Sequence, residues 1–305
     1  MTTRQELNKD KHNRIETEKN KVRKKKLTVL VFKVIFFSIV FITILFFYIT
    51  YVANLHTVVR EYRINSNKIP DSFNGVKIVQ FSDIHFGTTI GNKELNTVIK
   101  LINSRKPDIV VFTGDLIDKN YKLSSIEQEK IINSFKKINS SIGKYAAIGD
   151  EDKEAFSTIF NQSDFTILNN SYDLVYKDNN DPILIVGLNK TINTDTDEAY
   201  KYFSEANHNS KIYTISLVHE PDFIDEIQSK YNNDLFLAGH SHNGQIRIPY
   251  LGTIPTKKGA RKYYNEHYKL NKADLYVSSG IGTNGSGIRL FTHPSINLFR
   301  LSNKF

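Results

Sequence analysis

The sequence predicts an α/β layered domain preceded by one membrane-spanning helix, and three observations carry that expectation. Twenty residues near the N-terminus, Val34 to Ala53, run without a charge. Beyond them, apolar strand-like segments alternate with helical ones, the pattern of a layered α/β fold. Five of the strand-like segments also run directly into Asp, His or both.

Composition narrows the function classes. The chain has 305 residues, 40% of them hydrophobic, with 20 Phe and 16 Tyr. Behind the N-terminal part, roughly 250 residues remain for one globular domain or two small ones. There is no Cys, which excludes disulfides and thiolate metal sites and fits an exported domain of bacterial origin. The net charge of +9 is a property of the tail. Residues 1 to 26 hold ten Lys or Arg against four acids, and Lys33 adds one more, which leaves +2 for the rest. A surface that grips nucleic acid needs its charge on the folded domain, so nucleic acid is not an expected partner.

The run from Val34 to Ala53 is VIFFSIVFITILFFYITYVA. At about 1.5 Å per residue it crosses a hydrocarbon core of about 30 Å. Arg23, Lys24, Lys25 and Lys26 precede it, which places the N-terminus in the cytoplasm and the domain outside the cell. A cleaved signal peptide and a buried core helix are the competing readings. The run is long for a signal h-region, and no small-residue cleavage pattern follows it. Residues 2 to 22 are polar and are expected to be disordered. The expected organisation is a basic cytoplasmic tail at 1–26, a transmembrane helix at 27–53, a linker at 54–74 and the domain at 75–305.

Within the domain, strands are expected at 76–81, 108–112, 145–148, 183–186, 212–218, 235–238, 276–279 and 296–301. Helices are expected at 92–104, with Leu95, Val98, Ile99 and Ile102 on one face, and at 125–139, 195–206 and 222–230. Residues 56–74 read as an extended connection.

The first strand ends in Ser82-Asp83-Ile84-His85, the second in Thr113-Gly114-Asp115 and the third in Gly149-Asp150-Glu151-Asp152. Later strands deliver His219 and then Gly239-His240-Ser241-His242. Ligands of open α/β sheets bind at the carboxyl ends of strands. In extended chain, i and i+2 share a face, so Asp83 with His85, and His240 with His242, are expected to point into one cavity. Four imidazoles and two or three carboxylates suit a pair of divalent ions such as Mn, Fe or Zn. Asp115 is placed to bridge them, and Gly114, Gly149 and Gly239 fit sharp turns beside the site. Each motif alone has a plainer reading, as a surface turn or a helix cap. Their conjunction in this order does not.

These residues resemble the calcineurin-like metallophosphoesterase superfamily, and more narrowly its bacterial membrane-associated branch related to the YkuE and YaeI proteins. FSDIHFG, VFTGDLID, VHEPD, GHSHNGQ and SSGIGTNGSGIRLF carry the narrower match, which runs from about residue 60 to the C-terminus. The resemblance implies a four-layer αββα sandwich and phosphoester hydrolysis by metal-activated hydroxide. It places Asp83, His85 and His242 on the first metal, Asp115 between the two, and Asp150 with its motif, His219 and His240 on the second. Asp115, Glu151 and His242 are the expected catalytic residues.

Gly149-Asp150-Glu151-Asp152 departs from the family's Gly-Asn-His-Asp. Asp150 adds a charge that lowers the formal sum of the site from about +1 to 0. Glu151 replaces a His thought to contact phosphate or protonate the leaving group, and a carboxylate there repels a phosphate dianion unless burial keeps it protonated. Three outcomes are open: an enzyme with Glu151 as a raised-pKa acid, a slow enzyme relying on the metals, or a metal-binding pseudoenzyme acting as a cell-surface binding protein. His208 is a stand-in acid or a solvated residue. Arg289 is a substrate contact or a structural cation, and Lys257 to Lys262 are an anion contact or a solvated basic loop. The expected substrate is a phosphorylated small molecule or lipid (a phosphodiester, phosphomonoester or pyrophosphate), with the membrane as the second partner.

Overall fold

The computed structural model describes all residues except 1–3, 55, 179–180, 190–195, 203–210, 254–256, 286 and 305. His208 lies outside the described residues. The chain divides into two units, Met1–Ile49 and Thr50–Phe305.

The first unit is one helix, α1 (Arg4–Thr50). It is long and apolar enough to cross a membrane, and its Phe, Ile and Leu side chains are exposed along the apolar stretch. A helix apolar on all sides needs a lipid or protein interior as solvent. The helix also includes residues 4–22 of the polar stretch expected to be disordered. That stretch is rich in Lys, Glu and Arg, which lose little on entering a helix already nucleated downstream. The Glu18–Lys21 pair at 3.1 Å adds support on one face.

The second unit contains two six-stranded sheets among the described residues. Sheet one runs β1 (Val58–Asn65), β14 (Ser295–Ser302), β2 (Lys77–Phe81), β3 (Ile109–Thr113), β4 (Gly143–Ala147) and β5 (Thr166–Leu168). Sheet two runs β12 (His267–Lys269), β13 (Asp274–Val277), β9 (Leu235–Ala238), β8 (Thr214–Val218), β7 (Ile183–Gly187) and β6 (Ser171–Val175). The strands β2 to β5 are mutually parallel, as are β7, β8, β9 and β13. Helices α2 (Asn92–Ser104), α3 (Ser125–Phe135) and α4 (Glu154–Asn161) cover the outside of sheet one. Sheet two is covered by α5 (Thr196–Ala199) and α6 (Ile224–Lys230).

Alternation in the strands builds this sandwich. Ile109 and Val111 of β3 enter the core between the sheets, while Val110 and Phe112 face the helices. In β9, Leu235 and Leu237 face the other sheet, and Phe236 and Ala238 face outward to α6. Strands buried on both faces read as continuous apolar runs. The face of α2 buries Leu95, Val98, Ile99 and Ile102 as its spacing predicts. Phe112 is fully buried, with its ring 5.0 Å from Phe81 and 4.9 Å from Phe160. Phe112→Ala is expected to cost about 3–5 kcal/mol, read by urea unfolding of the purified chain.

The fold differs from the sequence reading at its margins. Much of the expected connection at 56–74 is strand β1, paired residue for residue with β14 from Val58↔Ser295 to Asn65↔Ser302. Its charged side chains suit an edge strand, and its partner lies at the other end of the chain, so local pattern does not reveal it. The short strands β5 and β6 and helix α4 also lie outside the sequence expectation.

Candidate metal centre

Parallel strands in both sheets end on the same rim. The loop after β2 carries Asp83 and His85, that after β3 carries Asp115, and that after β4 carries Asp150 and Glu151. From sheet two come His219 after β8 and His240 and His242 after β9. The sheets are tied beneath this rim, where Gln80 Nε2 donates to Ala238 O at 2.9 Å.

The side chains form three overlapping groups of possible ligands: Asp83, His85 and His242; Asp115, Asp150, His219 and His240; and His85, Asp115 and Glu151. Asp115 Oδ2 joins them, lying 3.2 Å from His219 Nε2 and 3.6 Å from His85 Nε2. His85 Nε2 and His242 Nε2 face each other at 3.1 Å. His242 Nε2 is 3.4 Å from Asp83 Oδ1.

The way the chain reaches this arrangement corrects the extended-chain argument. Asp83, His85, Asp115, His240 and His242 all have left-handed backbone, with φ of 51°, 42°, 61°, 66° and 50°. Each such residue costs about 1–2 kcal/mol, and such outliers gather where a site over-determines the backbone. Asp83 and His85 share a group through this geometry, not through a pleat. His240 and His242 part company, His240 joining Asp115 and His242 joining Asp83. Amides hold the bends: Asp83 N donates to Gly114 O at 2.8 Å, and His240 N donates to Asp83 Oδ1 at 2.9 Å. Gly149 and Gly239 serve close approach, not positive φ. A Cβ at 149 would meet the Asp115 backbone and carboxylate, and one at 239 would meet Ser82 and Asp83.

Hydrogen bonds set the imidazole tautomers. His219 Nδ1 is 2.7 Å from Thr113 O, and His240 Nε2 is 2.8 Å from Lys258 O. A carbonyl only accepts, so those nitrogens carry protons and leave His219 Nε2 and His240 Nδ1 facing each other at 3.2 Å. Both lie 3.0 Å from Asp150 Oδ1.

Burial works against the charge on Asp115, but His219 and His85 hold its carboxyl down at about 2. Burial likewise opposes the Asp150 charge and is outweighed by hydrogen bonds from His219 and His240. For His219, burial disfavours the cation, and the Asp115 and Asp150 carboxylates push its pKa well up regardless. Burial pushes His242 well down, helped by the Lys257 charge.

Divalent cations fit these residues. Asp83 Oδ2, Asp115 Oδ2 and His242 Nδ1 are buried without a hydrogen-bond partner, and converging lone pairs and carboxylate oxygens repel unless a positive charge lies among them. The donors are nitrogen and oxygen only, the chemistry of Mn, Fe and Zn sites.

The two acids that follow Asp150 face different partners. Asp152 turns inward and accepts from Asp115 N at 3.0 Å, Leu116 N at 2.8 Å and Gly149 N at 2.7 Å, locking the β3 and β4 loops together. Burial and the Asp115 charge push its pKa up to about 7. Burial raises the Glu151 pKa, but His85 and Asn284 Nδ2, which donates at 2.8 Å, bring it down to about 2. Its Oε2 lies 3.3 Å from His85 Nδ1. Arg289 is fully buried and donates to Gly280 O at 3.2 Å and Gly282 O at 2.6 Å, which makes it the anchor of the glycine-rich loop. Arg261, Lys262 and Tyr263 donate backbone amides to Asp222, and Lys262 Nζ pairs with Asp225 at 2.6 Å. The sequence did not single out Asn284, nor the carbonyls of Thr113 and Lys258. Backbone acceptors leave no trace in residue type.

A two-sheet sandwich with carboxylates and imidazoles gathered on one rim defines a hydrolase of the metal-dependent phosphoesterase class. The chain belongs to the calcineurin-like phosphoesterase family, which it matches over residues 76–244. It is 32% identical over 263 residues to the uncharacterized metallophosphoesterase YkuE of Bacillus subtilis, covering 84% of this chain and 89% of that one. It is 26% identical over 294 residues to the UDP-2,3-diacylglucosamine pyrophosphatase LpxG of Chlamydia muridarum, covering 76% of this chain and 86% of LpxG. A 5'-nucleotidase precursor from Thermus thermophilus superposes with a TM-score of 0.44 at 12% identity, over 68% of this chain and 49% of that one. The chain thus spans about half the length of that protein.

Proposed function

We propose that the protein is a membrane-anchored phosphoesterase with two divalent cations (Mn, Fe or Zn), acting on a phosphodiester or pyrophosphate of a lipid or cell-envelope component. Asp83, His85 and His242 would hold one cation, Asp150, His219 and His240 the other, with Asp115 within reach of both groups. The observation that carries this reading is Asp115 Oδ2, buried, unpartnered and within reach of imidazoles from both groups. When bound, the cations supply Lewis acidity toward phosphoryl oxygens and acidify an attacking water. The protein's own residues do the positioning. Thr113 O and Lys258 O aim His219 and His240, Asp152 locks two ligand loops, and Glu151 keeps His85 turned to the centre.

Residues 27–53 cross the membrane with 1–26 cytoplasmic and the domain outside. Asn54, just past helix α1, donates to Gly287 O at 2.9 Å, and Asn284 of the same loop holds Glu151. The name of LpxG, a UDP-2,3-diacylglucosamine pyrophosphatase, supports a substrate at the lipid surface. A charged Glu151 beside the site opposes a phosphate dianion and so favours diesters over monoesters. The same charge favours a second reading, a weak or inactive metal-binding protein at the cell surface.

The test uses the full chain in detergent micelles with Mn²⁺, assayed on bis-p-nitrophenyl phosphate and p-nitrophenyl phosphate with metal content measured alongside. The expected result is two metals per chain, diester turnover above monoester turnover, and loss of both by EDTA. A parent that binds two metals and stays silent, while Glu151→His gains activity, is the binding protein. A chain that takes up no metal removes the dinuclear centre altogether.

A further inference from the structure

The most exposed large apolar side chains among the described residues are Tyr250, fully exposed, and Leu251, at 81%. They form the tip of a hairpin between β10 (Arg247–Ile248) and β11 (Gly252–Thr253). Leu251 N donates to Ile248 O at 3.1 Å, which closes a four-residue turn with Pro249 second and Tyr250 third. Tyr250 has φ 68° there, a backbone that turns ordinarily fill with Gly or Asn. Phe291, also exposed, has φ 54°. Among the described residues, these are the two large hydrophobic side chains on left-handed backbone, and the others are polar. Strain of this kind persists where something offsets it, and packing within the domain cannot do so for side chains that stand outside it.

The two strained aromatics stand on segments bonded to one another. Leu290 N donates to Gln245 O at 3.1 Å and Arg247 N to Leu290 O at 2.9 Å, so the chain enters the hairpin alongside the residue before Phe291. The base of the hairpin is tightly packed, since a Cβ on Gly244 would collide with the Thr253 side chain. Arg247 and Phe291 line one cleft of about 360 Å³, together with Arg60 and Glu266. Arg60 is paired with Glu266 at 2.9 Å. Arg247 donates instead to Asn243 Oδ1 at 2.7 Å and Asn265 Oδ1 at 2.9 Å, neutral amides that leave its charge unbalanced.

An isolated apolar side chain on a surface needs no explanation. Three gathered on bonded segments beside a cation match the chemistry of a lipid–water interface, where aromatic rings sit at headgroup level and basic side chains meet phosphate. The apolar helix α1 keeps such a surface within reach of the domain, whose chain continues from it at Thr50. We propose that Tyr250, Leu251 and Phe291 enter the headgroup layer of an anionic bilayer, with Arg247 against the lipid phosphates. The inference rests on the membrane-anchored reading. Asn243, which holds Arg247, directly follows His242 in the chain, so docking through this hairpin brings the His242 side of the centre close to the lipid.

The chain has no Cys, so a single introduced one can carry a nitroxide label. Leu251→Cys is labelled in the full chain, in vesicles of phosphatidylcholine and phosphatidylglycerol. Phe37→Cys on the apolar stretch of α1 and Ile126→Cys, exposed on α3, serve for comparison. The label at 251 is expected to be reached by dissolved oxygen and shielded from a water-soluble nickel chelate, as at 37, with the reverse at 126. Adding Tyr250→Asn, which suits the turn, is expected to shift label 251 toward water without lowering Tm, and so is leaving out phosphatidylglycerol. A label at 251 as open to the chelate as that at 126, with 37 in lipid, overturns the inference alone. A label that stays in lipid through both changes inserts by itself, which overturns it too. Shielding from both reagents assigns the hairpin to a protein partner or a second copy, and the lipid surface is then wrong. A label at 37 open to the chelate removes the anchor, and the inference falls with it.

Discussion

Asp115→Asn is expected to lower metal-dependent diester turnover by about 10³-fold or more and to leave the chain with fewer than two metals. The argument is one of charge and of donors. The Asp115 side chain accepts Glu151 N at 2.9 Å through Oδ1 and faces His219 Nε2 and His85 Nε2 through Oδ2. Asn keeps the shape but carries an NH₂ where one of these acceptors stands, and it loses the charge that draws cations to both groups. Its pKa, already held at about 2 by His219 and His85 against burial, marks how strongly the surroundings select the anion. Turnover and metal stoichiometry, measured on folded variant and parent together, decide the matter. An Asn variant that retains two metals and turns over within tenfold of the parent would show that Asp115 does not bridge.

Asp152→Ala is expected to destabilise the domain by about 3 kcal/mol or more, since each buried amide left unpaired costs about 1–3 kcal/mol. Three amides lose their acceptor at once, and two of them, those of Asp115 and Gly149, shape the strand ends that present the carboxylates. The loss is therefore expected to reach metal uptake, although Asp152 is not placed as a ligand. Thermal unfolding with and without Mn²⁺ separates the two effects. Excess metal recovers part of the stability through binding to the native state. A variant that melts with the parent and keeps both metals would assign the three amides to water.

Much of this site is legible in residue order alone. Asp83, His85, Asp115, His219, His240 and His242 each follow an apolar run of strand type, and strand ends in parallel sheets deliver to one rim, so their convergence follows from topology. The twenty-residue span and the buried face of α2 are equally local, because each depends on periodicity or length within one element. Other features lie beyond local pattern. Strand β1 pairs with a segment more than two hundred residues away, and its charged alternation resembles a connection until that partner is in place.

The role of each carboxylate at 150–152 belongs to the same class. Three adjacent acids share one chemistry in sequence, yet they diverge in space. Asp150 faces His219 and His240, Glu151 faces His85, and Asp152 faces backbone amides. Burial and charge neighbours then push their pKa values in opposite directions. Residue identity and spacing determined the fold class, the family, and which side chains gather on one rim. Only tertiary packing decided how they divide into groups and which nitrogens carry protons. Those properties depend on distances between segments from two different sheets, and no window of sequence contains them.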